Sequence, residues 1–218
     1  MKQDKEVQVY FEEKAKAFDD IYDNRGGVIT KLANAIFRGG MTQRFNITMK
    51  YCGSGKKKVL DIGCGAGRFA IPLAKKGMNV TGLDYSEEMI KMAKDYLKNY
   101  EFKINKKLPI KYICCDFLTN FHSKEKFDIT IAMGIFDYLK EPLSFLKKMK
   151  DVTKGITISS FPKRYTFQMP IRKIWLWTKN CPVYFYTKKS IKKLYRDAGF
   201  KSFRIINVAA GYAVLSKN

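Results

Sequence analysis

Val59-Leu60-Asp61-Ile62-Gly63-Cys64-Gly65-Ala66-Gly67 decides how this chain is read. An apolar run broken by one acid leads into glycines at alternate positions, the pattern of a buried parallel strand that stops in a tight turn and opens a helix. Backbone and ligand come close in such a turn. Gly63, Gly65 and Gly67 are therefore candidate binding positions, where a Cβ would block the approach or a positive φ is required. The spacing is G-x-G-x-G, so the third glycine falls earlier than in the dinucleotide fingerprint G-x-G-x-x-G.

Downstream of this strand the pattern alternates. Strands are expected at 57–62, 79–84, 110–115, 127–133 and 155–160, with helices at 67–76, 86–99 and 141–152; a helix at 187–198 and strands at 201–208 and 211–216 follow. Such alternation specifies an α/β fold, a doubly wound seven-stranded sheet that is mostly parallel, with helices on both faces. The last two runs meet at Ala209-Ala210-Gly211, too short for a helical crossover, so the final strand is antiparallel. Ser86 is placed to cap its helix, with Glu87 and Glu88 in the first turn.

Upstream, residues 5–24 carry apolar and aromatic positions at helical spacing, and a second helix is expected over about 30–51, interrupted at Gly39-Gly40 and delivering Arg44 toward the first strand. No Pro/Gly/Ser-rich linker divides the chain. It reads as one domain: an N-terminal helical lid (1–55), a cofactor-binding half (56–161), a rim insertion (162–186) and a C-terminal helix and hairpin (187–218). The insertion holds Arg172, Trp175 and Trp177 among other aromatics and cations, and it follows the carboxyl end of a strand, where open α/β sheets bind ligands. It reads as a substrate lid or an interface-seeking patch.

Three acids end three successive strands, and together they select the ligand. A dinucleotide would place a pyrophosphate at the glycine turn, where Asp61 repels it. S-adenosylmethionine brings an ammonium and a sulfonium instead, and a carboxylate attracts both. Asp84 closes the next strand at the offset expected for the acid that accepts from ribose hydroxyls. Asp116 ends a third run, where a carboxylate suits the adenine amino group and Phe117 or Tyr85 offers a ring face.

On these residues, 57–161 resemble a class I S-adenosylmethionine-dependent methyltransferase, and most resemble the small-molecule methyltransferases of ubiquinone, menaquinone and magnesium-protoporphyrin biosynthesis. The resemblance implies that Arg44 and Met133 contact the cofactor and that the N-terminal helices fold over it. In that family a Glu and a His follow the Met, whereas this chain has Gly134-Ile135-Phe136-Asp137-Tyr138, with Tyr138 in place of the His.

Methyl transfer from a sulfonium is an in-line displacement with an already activated donor, so the protein chiefly positions and shields. A base is needed only when the acceptor loses a proton. Asp137 and Tyr138 are the candidates beside the fourth strand, with His122 a third. The alternatives for the first two are capping and packing. No Asn/Asp-Pro-Pro-aromatic motif follows the fourth strand, which speaks against exocyclic amine acceptors. The expected reaction is O- or C-methylation of a small aromatic or lipidic acceptor. An RNA methyltransferase and a noncatalytic cofactor-binding module are the competing readings.

The formal charge is +22, from 42 Lys and Arg against 20 Asp and Glu. It promotes binding to polyanions, so nucleic acid and anionic membrane surfaces are both candidate partners. The lysines are scattered over helix faces, however, as on a solvated basic surface. No apolar stretch approaches the roughly 20 residues that cross a bilayer, and the Lys-rich, acid-containing N-terminus is not a signal peptide, so a cytoplasmic protein is expected. The five cysteines form no C-x-x-C pair and the only histidine is His122, which leaves no metal-ligand spacing.

Overall fold

The computed structural model describes residues 28–164, 183–209 and 211–218, with side chains from residue 40 onward. The expected helix at 5–24, Arg172, Trp175, Trp177 and Cys181 lie outside the described residues. The elements are α1 (Val28–Cys52), β1 (Lys58–Ile62), α2 (Ala70–Lys75), β2 (Asn79–Asp84), α3 (Glu87–Ile104), β3 (Ile110–Cys114), β4 (Phe127–Ala132), α4 (Pro142–Asp151), β5 (Thr153–Pro162), α5 (Lys188–Asp197), β6 (Ser202–Val208) and β7 (Gly211–Lys217).

The strands form one seven-stranded sheet in the order β3-β2-β1-β4-β5-β7-β6. β1 pairs in parallel with β2 and β4, β2 with β3, and β4 with β5. β7 is antiparallel to both β5 and β6, as the short connection before it requires. Val59, Leu60 and Ile62 are buried, as expected of a central strand covered on both faces.

Each face has its own core. Val59, Val80, Tyr112, Ile129, Ile131 and Ile158 meet Cys52 of α1, Ala70 and Leu73 of α2 and Ile90 and Ala93 of α3. On the other face Leu60, Ile62, Leu83 and Phe161 meet Phe145 and Met149 of α4 and Ile191 and Tyr195 of α5. Register assigns the acids to a face. Asp61 pairs with Gly82, and Asp84 lies two residues beyond Gly82 on the same strand, so both carboxylates point to the α1–α3 side.

Two expectations are corrected. α1 runs unbroken through Gly39-Gly40; Gly40 is buried, and helices in proteins are held by packing more than by propensity. α2 begins at Ala70 rather than at residue 67, because Gly67 has φ +80° and cannot be helical. α3 is capped at Ser86, whose hydroxyl accepts from the Met89 N–H at 3.3 Å. α5 opens with a capping box between Thr187 and Ser190. Among the described residues no helix is long and apolar enough to cross a membrane.

Candidate functional site

Where β1 ends, Gly63, Gly65 and Gly67 all have positive φ, so the turn is one that residues with a Cβ rarely make. Their surroundings differ. A Cβ on Gly63 would come within 3.1 Å of Ile135 Cδ1, and one on Gly67 would overlap the Tyr112 hydroxyl, whereas one on Gly65 would meet only Met89 Sδ at 4.0 Å. Of the three, Gly65 borders open space. The turn is tied to β2 twice: the Cys64 N–H donates to Leu83 O at 2.9 Å, and the Gly65 N–H donates to Asp84 Oδ2 at 2.8 Å. The other Asp84 oxygen accepts the Ser86 N–H at 3.0 Å, so this acid holds the turn and the start of α3 together.

Asp61 is 1% exposed, and its Oδ2 has no hydrogen-bond partner. A carboxylate in that position is costly unless a positive charge meets it. Burial, with Asp84 as a second contribution, pushes its carboxyl up to about 8. Burial likewise raises Asp84, against the pull of its backbone N–H partners. The same side of the fold thus carries two buried acids. Arg44 of α1 comes in above the carboxyl ends of the neighbouring strands: a Cβ on Gly134 would lie 3.9 Å from one of its terminal nitrogens, and a Cβ on Gly211 3.5 Å from the other. Its Nε is buried without a hydrogen-bond partner. Asp61 Oδ2 and Arg44 Nε are thus two buried polar atoms without a partner, an acceptor and a donor of the kind that a zwitterionic amino-acid group would satisfy.

The remaining candidates fall on either side. Asp116 is exposed at the end of β3 and organises its own turn, accepting the Thr119 N–H at 2.8 Å. Phe117 does not offer a free ring. It is 5% exposed and lies against Phe145 at 4.9 Å between centroids, under the Lys148 ammonium. Tyr85, the other aromatic at this edge, is half-buried between Asp84 and Ser86. Met133 is half-buried after β4, and the Gly134 N–H that follows donates to Ser160 Oγ at 2.8 Å, fixing the loop on which Asp137 and Tyr138 sit.

Asp137 is 2% exposed; its carbonyl accepts the Tyr184 N–H at 2.8 Å. Burial and then the Asp137 charge push the Tyr186 phenol up. Asp137 does not cap α4, whose first turn starts from Glu141 and Pro142 without a side-chain cap. Tyr138 is half-buried, its N–H bonded to Ile135 O at 3.0 Å. His122 is separated from both. It is exposed next to Phe121, whose ring meets Phe127 at the start of β4, whereas Asp137 and Tyr138 follow the end of that strand, so it belongs to the opposite end of the sheet and is withdrawn from the candidate bases. Missed from the sequence were Gly82 and Tyr112, which lie under the turn; a glycine inside a buried strand was the available signal.

A family model described as a methyltransferase domain matches residues 54–199. A ubiquinone biosynthesis O-methyltransferase of Coxiella burnetii is 34% identical over 98 residues, 45% of this chain and 39% of that protein. One of Pelagibacter ubique is 32% identical over 116 residues, 50% of this chain and 45% of that protein. The chain thus spans less than half the length of these curated relatives. The crystal structure of magnesium protoporphyrin IX methyltransferase from Synechocystis PCC 6803 with bound SAH shares the fold, with a TM-score of 0.74 at 19% identity over 97% of this chain and 96% of that one.

Proposed function

We propose, for a chain that belongs to the methyltransferase-domain family, that it transfers a methyl group from S-adenosylmethionine to oxygen or carbon of a small-molecule acceptor. One observation carries the reading: a carboxyl group buried to 1% exposure, with an oxygen lacking any hydrogen-bond partner, beside a second buried acid at the mouth of a glycine turn. That site rejects a phosphate and attracts a cation. The cofactor supplies an electrophilic methyl on a sulfonium; the residues bind, orient and exclude water.

In this reading Asp61 and the turn through Gly63, Gly65 and Gly67 take the ammonium end, and Arg44 takes the carboxylate of the same amino-acid group. Asp84 accepts from the ribose hydroxyls. Its oxygens hold the backbone N–H groups of Gly65 and Ser86 and keep acceptor capacity. Asp116 and Tyr85 meet the adenine, and Met133, after β4, contacts the cofactor elsewhere. An acceptor with a proton to lose gives it to Asp137 or Tyr138. The proposal includes a cytoplasmic place of action. It also includes a peripheral hold on anionic membrane through Lys188, Lys189, Lys192, Lys193 and Arg196, all exposed on α5, which would suit a lipophilic acceptor.

Two measurements test this. Calorimetric titration should show binding of S-adenosylmethionine and its demethylated product and none of NAD; the reverse preference refutes the assignment. Incubation with methyl-labelled cofactor and cell extract should place label in the lipid or small-molecule fraction, and label in RNA alone would transfer the reading to nucleic acid.

A further inference from the structure

Asp61, Gly82 and Tyr112 form one row across β1, β2 and β3, since Asp61 pairs with Gly82 and Gly82 with Tyr112. In-register residues of parallel strands share a face, and the middle one has no side chain. The Tyr112 ring fills that gap: a Cβ on Gly82 would stand 2.7 Å from its Cδ1 and 2.9 Å from its Cε1. The ring therefore lies across β2 toward the glycine turn, and its hydroxyl end sits against Gly67, where a Cβ would be 2.8 Å from Cζ. Tyr112 is 7% exposed, and its hydroxyl, like Asp61 Oδ2, is buried without a hydrogen-bond partner. Phenylalanine would fill this space equally well and leave no polar atom unsatisfied. The hydroxyl thus has no explanation in packing.

Its surroundings supply one. Among the described residues, the titratable groups that interact electrostatically with Asp61 are Cys52 of α1, Cys64 of the turn, Asp84 of β2 and Tyr112 of β3. None is a cation, and Tyr112 is the one hydroxyl among them. Burial first, then Cys64, Asp61 and Tyr96, push the phenol up, so it remains a donor.

We propose that Tyr112 is a positioning residue of the cofactor site: its ring braces Gly67 through the gap at Gly82, and its hydroxyl is the donor held for the Asp61 carboxylate when that acid ionises against a cationic ligand. This rests on the reading that the cofactor's ammonium meets Asp61. When the ligand binds, the Asp61 proton leaves to solvent, the ammonium keeps its charge, and the phenol donates to the carboxylate without losing its own proton.

The test is calorimetric titration of S-adenosylhomocysteine into wild type and Tyr112→Phe across a pH series, with thermal unfolding of the free proteins alongside. The variant should melt at or above the wild-type temperature, bind roughly tenfold more weakly at neutral pH, and reach its affinity plateau about one pH unit higher, since the phenol favours only the ionised acid. Binding within a factor of about two with an unshifted plateau would overturn the proposal. So would a lower melting temperature, which would mean that the hydroxyl is already bonded in the free protein. If the wild type binds no S-adenosylhomocysteine, the cofactor reading falls and takes this proposal with it; if only the variant is indifferent, the proposal falls alone.

Discussion

The two faces of the sheet treat buried polar groups in opposite ways. Toward α4 and α5 the hydroxyls are paired: Thr130 with Thr153 at 2.6 Å, Thr157 with Ser216, Ser159 with Tyr195. They are embedded in a run of rings in which Phe136 meets Phe161 at 4.2 Å and Phe145 at 5.3 Å. Toward α1, α2 and α3, Asp61 and Tyr112 bury polar atoms that have no partner. The hydroxyls named on the first face satisfy one another, whereas Asp61 Oδ2 and the Tyr112 hydroxyl on the second do not. A sheet can thus hold its stability on one side and leave polar atoms unsatisfied on the other at the carboxyl ends of its strands, where a ligand completes them.

The comparison can be broken most forcefully on the closed face. Phe145→Ala removes a ring that is 2% exposed and touches Phe117 and Phe136, at a cost of about 3 to 5 kcal/mol. Urea denaturation should show that loss, while the folded fraction keeps its cofactor affinity; a parallel loss of affinity would mean that the faces are not separable.

On the open face, pH does similar work. The folded Asp61 carboxyl titrates near 8 against an ordinary value of 3.8, so between these values the folded state holds a proton that the unfolded chain has released. The Asp61 contribution to the stability of the free protein should be fully present below about pH 4, fall as pH rises toward 8 and be lost above, a change of about a few kcal/mol. Asp61→Asn should flatten that profile, and a pH-independent wild type would refute the raised carboxyl.

The same substitution sharpens the contrast by separating stability from binding. Asp61→Asn removes a buried charge and should not lower the melting temperature at pH 8. It should weaken cofactor binding roughly ten- to a hundredfold, the loss of a hydrogen bond to a charged group. Titration calorimetry reads the second effect and thermal unfolding the first. Smallest is Ser86→Ala, which loses the α3 cap and about 1 kcal/mol of stability, while the Ser86 backbone N–H still serves Asp84. Its cofactor affinity should stay near wild type, and a large drop would make the cap part of the site.

What the sequence made legible is what periodicity and strand-end residues encode: the seven strands, the antiparallel end, and acids at the ends of β1, β2 and β3. Helix lengths were less legible. α3 runs on to Ile104 although Phe102 and Ile104 are exposed and give no inward period. It is closed instead by Asn105, which takes the left-handed conformation at φ +47°, and by Glu101, whose carboxylate accepts from the Leu108 N–H at 2.7 Å and pairs with Lys107. The roles inside the glycine signature were illegible for another reason. Motif spacing gives the conformation but not what stands opposite each glycine, and only register reveals that Gly67 faces a tyrosine from β3 while Gly65 faces open space. Phe117 illustrates the same limit, since an aromatic after a strand suits adenine and core equally until its neighbours are known.

β7 lies between β5 and β6, although it follows both in the chain. During synthesis, at about 5 to 20 residues per second, Ser202–Val208 emerges before the only strand that joins it to the sheet. Until Gly211–Lys217 has left the ribosome, the outer side of β5 is an unpaired edge, the kind of surface that recruits strands from other chains. The interval between the emergence of β5 and that of β7 is when this edge of the nascent protein is open to misassembly, and a chaperone acting on it would have to cover that edge.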